Sequence, residues 1–126
     1  MSADDSGPGA KLQLETRWIE DAVVISVAGE LDIATAPALR EQLLRVFAEQ
    51  TPGHVVVDLT LVTFLDGATL GVLVGARRRL HHDDARMTIV ALERVTRVIR
   101  AAGLDQAWQL VDSLEAALRG DPPPPP

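Results

Sequence analysis

Segments with the apolar spacing of helices alternate with segments typical of strands along this chain, and the sequence therefore predicts an α/β fold with a mixed, mainly parallel sheet and packed helices. Apolar, β-branched runs indicate buried strands, and segments with apolar residues at helical spacing follow them. Turns rich in glycine or proline separate the two kinds of segment. The predicted order is β-β-α-β-α-β-α-β-α, in which connections between parallel strands cross over with a right hand.

The first two strands are expected to form a hairpin. Apolar and polar residues alternate over Lys11–Arg17, which is typical of a half-exposed strand. Ala22–Val27 is almost entirely apolar, which is typical of a buried one. Glu20 and Asp21 lie between them and form the predicted tight turn.

The middle of the chain predicts two helices separated by a strand. After a loop over residues 28–34, Thr35 is expected to cap the first helix, with Pro37 in its first turn. The next strand is predicted over His54–Leu59, followed by a loop at residues 60–65. Asp66 is then a good N-cap for the second helix.

Shorter elements complete the predicted fold. Residues 81–84 are interpreted as the exit loop of the second helix, followed by a strand over Met87–Ala91. A helix over Glu93–Ala102 and an edge strand over Trp108–Val111 come next. The last helix is predicted over Ser113–Arg119 and is capped by its serine.

Composition limits the classes of function that the chain can have. The chain has 126 residues, the size of one domain, and a formal net charge of −6, which disfavours binding to nucleic acid. It has no cysteine, which excludes disulfides and thiol chemistry. The domain is predicted over residues 10–119, between a disordered N-terminus at 1–9 and a disordered proline-rich tail at 120–126.

Targeting signals are not evident in the sequence. The start of the chain is acidic and polar, unlike a signal peptide, and no apolar run approaches the roughly 18 residues of a membrane span. We therefore predict a cytoplasmic protein without direct membrane insertion.

Catalytic and cofactor-binding patterns are also lacking. His54, His81 and His82 do not have metal-ligand spacing, and there is no glycine-rich phosphate loop. Asp66 could be a phospho-accepting aspartate, but no acidic pair follows the first strand to hold Mg²⁺, so the helix-cap interpretation is favoured. We expect no enzymatic activity, no metal and no cofactor.

Two loops are the candidate functional segments, residues 29–34 and 63–69, because loops at the carboxyl ends of parallel strands carry function in such sheets. Within the second helix, Gly71 and Gly75 are four residues apart. We interpret them as allowing close approach of the helix to the sheet, although a partner could use the same stripe.

Two segments carry a family resemblance: residues 29–40 (GELDIATAPALR), and residues 55–59 (VVVDL) followed by 64–73 (FLDGATLGVL). In this order and spacing they resemble the STAS domain, and the predicted elements match it from about Lys11 to Arg119. The resemblance implies an anti-sigma factor antagonist. Such a protein binds an anti-sigma factor, a GHKL-type, serine-protein kinase-like protein, and so releases a sigma factor.

The resemblance also implies which residues bind the partner. The expected surface consists of residues from the two loops and the start of the second helix: Asp32, Ile33, Ala34, Asp66, Gly67, Ala68, Thr69 and Leu70. Whether Asp32 contacts the partner or stabilises its own turn is left open. A homodimer is also left open.

One position departs from the family pattern. The family's phospho-acceptor, a serine or threonine, is replaced here by Gly67, while Thr69 stands where the family usually has glycine. Three interpretations remain: a constitutive antagonist, phosphorylation of Thr69 instead, or a different partner under other control. Two alternative functions are an adaptor subunit of a lipid-transport ABC system and a nucleotide-binding module.

Overall fold

The structure, a computed structural model, describes residues 12–119, so the predicted disordered ends lie outside the described residues. It confirms the α/β fold and the predicted order of elements. The strands are β1 (Leu12–Ile19), β2 (Ala22–Leu31), β3 (His54–Leu65), β4 (Arg86–Val90) and β5 (Gln109–Val111). The helices are α1 (Ala36–Glu49), α2 (Gly67–His82), α3 (Glu93–Ala101) and α4 (Leu114–Arg119).

The strands form one sheet in the order β1-β2-β3-β4-β5. The predicted hairpin is present, since β1 pairs antiparallel with β2, and the other neighbours are parallel. Since spatial order follows chain order, the carboxyl ends of β2, β3 and β4 lie side by side at one edge of the sheet. We call this the carboxyl edge, and the opposite end of the parallel strands the amino edge.

Two apolar cores lie on opposite faces of the sheet. The larger core packs α1, α2 and α3 on one face, where Ile25 and Val57 of the sheet meet Leu39, Leu73 and other helix residues. The smaller core, on the other face, is covered by α4, whose Ala117 packs with strand valines. Alternate strand residues face opposite sides of a sheet, so the centre of a strand covered on both faces must be apolar throughout.

The first helix begins where predicted, but Thr35 acts differently from the prediction. Pro37 lies in the first turn as expected, and Thr35 is the N-cap residue without a side-chain capping bond. Its hydroxyl instead donates to the carbonyl of Glu30 (2.7 Å) and accepts from the amide of Asp32 (2.9 Å). Thr35 therefore closes the loop that precedes the helix.

Strands β2 and β3 are longer than predicted, and this is the main correction to the sequence analysis. Residues 28–31 and 60–65, which were expected to be loops, continue the strands as far as Leu31 and Leu65. The pairing continues through two register shifts, at 26–28 and 29–30, and ends with Leu31 opposite Leu65. At such a β-bulge one strand has an extra residue, and the two strands can continue to pair beyond it.

Smaller differences occur at the other boundaries. Helix α2 includes His81 and His82, which were predicted to lie in the exit loop, and the basic side chains of its last turn suit the negative end of the helix dipole. The ends of β4, α3 and β5 differ from the prediction by one residue. Ser113 caps α4 as predicted, accepting from the amide of Ala116 (3.1 Å).

The interpretation of the two helix glycines is wrong. Gly71 and Gly75 are exposed, and a Cβ atom built on either meets nothing within 4 Å outside its own helix backbone. They line a groove between α1 and α2. Close contact with the sheet is therefore not the reason that glycine occupies these two positions.

A set of hydrogen-bonded polar side chains crosses three strands near the amino edge, and two of them, His54 and Thr88, are buried. The ring of His54 is 2.8 Å from Thr88 Oγ1, whose hydroxyl donates to Gln109 Oε1 (3.4 Å), and Arg86 Nη2 is 3.5 Å from His54 Nδ1. One arrangement of protons satisfies every contact: Nε2–H donates to Thr88 and Nδ1 accepts from Arg86. This arrangement requires neutral His54. Burial, then the Arg86 charge, lowers its pKa, against a smaller opposing effect of Asp21.

Candidate functional site at the carboxyl edge

The two loops singled out in the sequence meet at the carboxyl edge. Leu31, the last residue of β2, pairs with Leu65, the last residue of β3. The amide of Asp66 donates to the carbonyl of Leu31 (3.1 Å), so the chain leaves both strands at the same place. The loop before α1 and the first turn of α2 therefore form one continuous surface.

The first loop is held in shape by Asp32. One carboxylate oxygen of Asp32 accepts from the amides of Ala34 (2.9 Å) and Thr35 (3.0 Å). This turn leaves Ile33 at the tip, where the residue is 76% exposed. The structure thus supports the turn-stabilising role of Asp32, and Ile33 and Ala34 are the side chains that the loop presents.

The second loop is held in the same way by Asp66, which confirms the predicted helix N-cap. Its Oδ1 accepts from the amides of Ala68 (3.1 Å) and Thr69 (3.3 Å). A carboxylate at this position satisfies free amides and interacts favourably with the helix dipole. These amides are therefore already occupied and are not offered to an outside anion.

Two of the predicted surface residues are not on the surface. The side chain of Thr69 is 0% exposed and that of Leu70 belongs to the larger core. Among the described residues, the hydroxyl of Thr69 has no hydrogen-bond partner. As folded, the chain does not present Thr69 to a kinase, so the exposed part of the predicted second-loop surface is reduced to Gly67 and Ala68.

Three further exposed apolar residues lie at the same edge and are not among the predicted site residues. Leu61 is 70% exposed, Phe64 is 52% exposed and Leu92 is 51% exposed; together with Ile33 they are the most exposed large apolar side chains of residues 12–119. A signal was present in the sequence, since residues 60–65 contain four large apolar residues although they were assigned to a loop. A loop of that composition is unusual.

Leu61 and Phe64 lie in a part of β3 that extends beyond its pairing with β4. Strand β4 ends at Val90, opposite Asp58, whereas β3 continues to Leu65. The start of α3 lies beside this extension, because Arg94 Nη1 is within 3.5 Å of the carbonyl of Thr63. Leu92, just before α3, is thereby brought to the same edge as Phe64.

We call this the docking surface: Ile33, Ala34, Leu61, Phe64, Gly67, Ala68 and Leu92. Apolar side chains on it have no cover within the described part of the chain, which is typical of a surface that binds another protein. Within residues 12–119, no group of three or more His, Cys, Asp or Glu side chains could hold a metal ion. The helices of that part are all too short or too polar to cross a membrane.

Gly67 at the start of α2 is exposed and uncrowded. A Cβ atom built on it meets nothing within 4 Å outside its own helix backbone, and its φ is not in the left-handed region. Neither backbone conformation nor packing requires a glycine there. The position could carry a larger side chain, including a hydroxyl, without disturbing the fold.

Comparisons with known proteins agree with the resemblance found in the sequence. The chain is 36% identical over 98 residues to the anti-sigma-F factor antagonist RsfB of Mycobacterium tuberculosis, covering 77% of this chain and 79% of the relative. It is 32% identical over 105 residues to the anti-sigma-B factor antagonist of Staphylococcus epidermidis, covering 82% and 96%.

A solved structure and a family model extend this similarity to the fold. The crystal structure of an anti-sigma factor antagonist from Mycobacterium paratuberculosis superposes with a TM-score of 0.81 at 31% identity, covering 90% of this chain and 96% of that one. The family model for the STAS domain matches residues 13–117, which are most of the chain. The chain therefore belongs to the STAS domain family.

Proposed function

We propose that this protein is an anti-sigma factor antagonist, which binds a kinase-like anti-sigma factor through the docking surface and thereby frees a sigma factor. The observation that carries the proposal is the exposure of Ile33, Leu61, Phe64 and Leu92 at one edge of the sheet. Exposing large apolar side chains contributes nothing to folding, whereas burying them against a partner stabilises the complex.

The names of the relatives favour this function over the two alternatives. The relatives and the solved structure described above are anti-sigma factor antagonists. Transport adaptors and nucleotide-binding modules have no comparable support from the geometry of the docking surface. Its exposed side chains are apolar, which suits a protein partner better than a phosphate group.

We further propose that binding is constitutive, without a phosphorylation switch at the start of α2. Gly67 has no hydroxyl, and the hydroxyl of Thr69 is buried. A phosphate at this place would put nearly two negative charges beside Asp66 and disrupt an apolar interface by desolvation and repulsion. Without an accessible acceptor, the amount of the protein would control how much partner is bound.

The test is binding of the full chain to purified anti-sigma factors from the same genome, measured by isothermal titration calorimetry. Phe64→Lys should weaken binding by about a hundredfold, because a charged side chain would have to lose water in an apolar contact. Leu118→Lys is the matched control, since Leu118 is 39% exposed on α4, across the sheet from α1 to α3. Equal binding by both variants and the wild type would contradict the proposed surface.

A second experiment tests the constitutive behaviour. The wild type should take up no phosphate from ATP in the presence of its kinase-like partner, whereas Gly67→Ser should be phosphorylated and then released. Mass spectrometry of the intact chain measures the modification. Phosphate on wild-type Thr69 would overturn the constitutive interpretation but leave the docking surface in place.

A further inference from the structure

A groove runs between α1 and α2, beside the docking surface. It has a volume of about 470 Å³ and is open to solvent. Its walls are mainly apolar, with Leu43, Leu44 and Phe47 on the α1 side and Val72 on the α2 side. The exposed Gly71 and Gly75 also line it, and the space that their missing side chains would fill is open.

The charge of the groove is opposite to that of the whole chain. Arg40 and Arg79 line it, and within residues 12–119 no acidic residue does, although the net charge of the protein is −6. The guanidinium of Arg79 lies 5.4 Å from the centre of the Phe47 ring, and its Nε is 4.0 Å from Asp83. Both members of that ion pair are exposed, so the pair is weak and Arg79 can still attract a carboxylate.

The length of the groove suits a helix. Its α2 side extends from Ala68 to Arg79, which is a rise of about 16 Å or three helical turns. On α1 the lining residues Arg40, Leu43, Leu44 and Phe47 repeat at i, i+3, i+4 and i+7. An amphipathic helix laid along such a groove would insert side chains at the same spacing.

The groove is also continuous with the docking surface. Ala68, in the first turn of α2, belongs to both. A partner that covers the carboxyl edge therefore reaches one end of the groove without a gap. Arg40 is in the second turn of α1, and Arg79 is in the last turn of α2.

We propose that the groove binds a short amphipathic helix with an apolar stripe and carboxylates near both ends, supplied by the same partner that covers the docking surface. This inference rests on the proposed function for the identity of the partner. It extends the interface from the carboxyl edge along the length of α2. The arginines select an acidic helix, and the glycines allow its backbone to approach α2 closely.

The first experiment needs no natural partner. A stapled helical peptide of about twelve residues, roughly the length of the groove, carries leucines at i, i+3, i+4 and i+7 and glutamates at both ends. Titrated into the ¹⁵N-labelled full chain, it should shift the amide signals of Gly71 and Gly75. The same peptide with lysines at its ends should bind at least about tenfold more weakly.

Groove variants make this result specific. Gly75→Leu fills the groove and should abolish the shifts. Arg40→Glu should weaken binding of the peptide by about tenfold. The circular dichroism spectrum should remain native, since a Cβ atom built at position 75 meets nothing within 4 Å outside its own helix backbone. Absence of shifts in the wild type, or equal binding of the lysine peptide, would overturn the proposal. Shifts caused by dodecanoate but not by the peptide would overturn it in favour of a small amphiphile.

The second experiment uses the anti-sigma factor and separates this inference from the proposed function. Gly75→Leu should weaken its binding by about tenfold. If Gly75→Leu binds like the wild type while Phe64→Lys does not bind, the groove proposal fails and the proposed function stands. If the wild type binds no anti-sigma factor, the proposed function and the assignment of the helix to that partner both fail. The peptide titration then still decides whether the groove accepts an acidic helix.

Discussion

The amino edge and the carboxyl edge of the sheet differ in which kind of side chain is buried and which is exposed. At the amino edge, His54 and Thr88 are polar, yet they are buried and satisfied by hydrogen bonds. At the carboxyl edge, Ile33 and Phe64 are apolar, yet they are exposed. A buried polar group is costly to leave unpaired, so the amino edge has a structural role. An exposed apolar group adds no stability, so the exposed apolar side chains at the carboxyl edge indicate a binding surface.

The largest expected effect is on stability at the amino edge. His54→Ala should lower the free energy of unfolding by about 2–3 kcal/mol, because it leaves a cavity and weakens the pairing of Thr88. Phe64→Ala at the carboxyl edge should change it by less than about 0.5 kcal/mol. Urea unfolding followed by circular dichroism measures both. His82→Ala, at an exposed position, is the matched histidine control. Similar losses of unfolding free energy for His54→Ala and Phe64→Ala would contradict the difference between the two edges.

The pH dependence of stability should sharpen the same contrast. The pKa of His54 is lowered in the folded protein, mainly by burial. Below about pH 6.5 the unfolded chain therefore binds a proton at this residue that the folded chain does not, and unfolding becomes more favourable as the pH falls. The loss continues until the pH reaches the lowered pKa of the folded state.

Comparison with His54→Gln isolates this contribution. Urea unfolding of both proteins between pH 7.5 and pH 5 should show a steeper loss of stability in the wild type, in the window set by the two pKa values. His82→Gln, at an exposed position, controls for the loss of a histidine. Parallel curves for the wild type and His54→Gln would show that His54 does not titrate differently in the two states.

A smaller effect is expected at the start of α2, where the carboxyl edge also has a structural component. Asp66→Ala should cost about 1 kcal/mol, because two helix amides lose their acceptor, whereas Asp66→Asn should cost less because asparagine also caps. Thermal unfolding measures both. If Asp66→Asn also weakens partner binding while the fold is retained, the charge of Asp66 contributes to docking as well as to the cap.

The smallest effect is expected at Thr69. Its hydroxyl is buried and has no hydrogen-bond partner among residues 12–119, so Thr69→Val should be neutral or should stabilise the fold by up to about 1 kcal/mol. Partner binding should not change. Thr69→Ser, which keeps the hydroxyl, is the control. A clear loss of binding in the valine variant alone would give this hydroxyl a role at the interface.

Local patterns were sufficient to predict much of the fold and part of the site. The apolar runs of β2 and β3 and the cap at Asp66 each depend on residues close together in the chain, and the structure has each of them. The exposure of Ile33 and Ala34 also agrees with their predicted place on the surface.

Other features depend on contacts between distant residues and were not predictable in the same way. Leu61 and Phe64 lie in a strand only because β2 pairs with β3 beyond two register shifts. They lie beyond the last pair of β3 with β4, in which Asp58 is opposite Val90, and their side chains are exposed. Thr69 and Gly71 are near neighbours in one helix, yet the packing of α2 buries the first and leaves the second in the groove beside α1.

The sequence by itself determined the order of the strands and helices, the class of fold and the family, because propensity, apolar periodicity and short motifs are local properties. Only the tertiary structure decided which side chains are exposed at the carboxyl edge, which hydroxyl is buried and where the groove between α1 and α2 lies. The physical reason is that burial and strand length depend on the partner that each segment packs against, and that partner is distant in the chain.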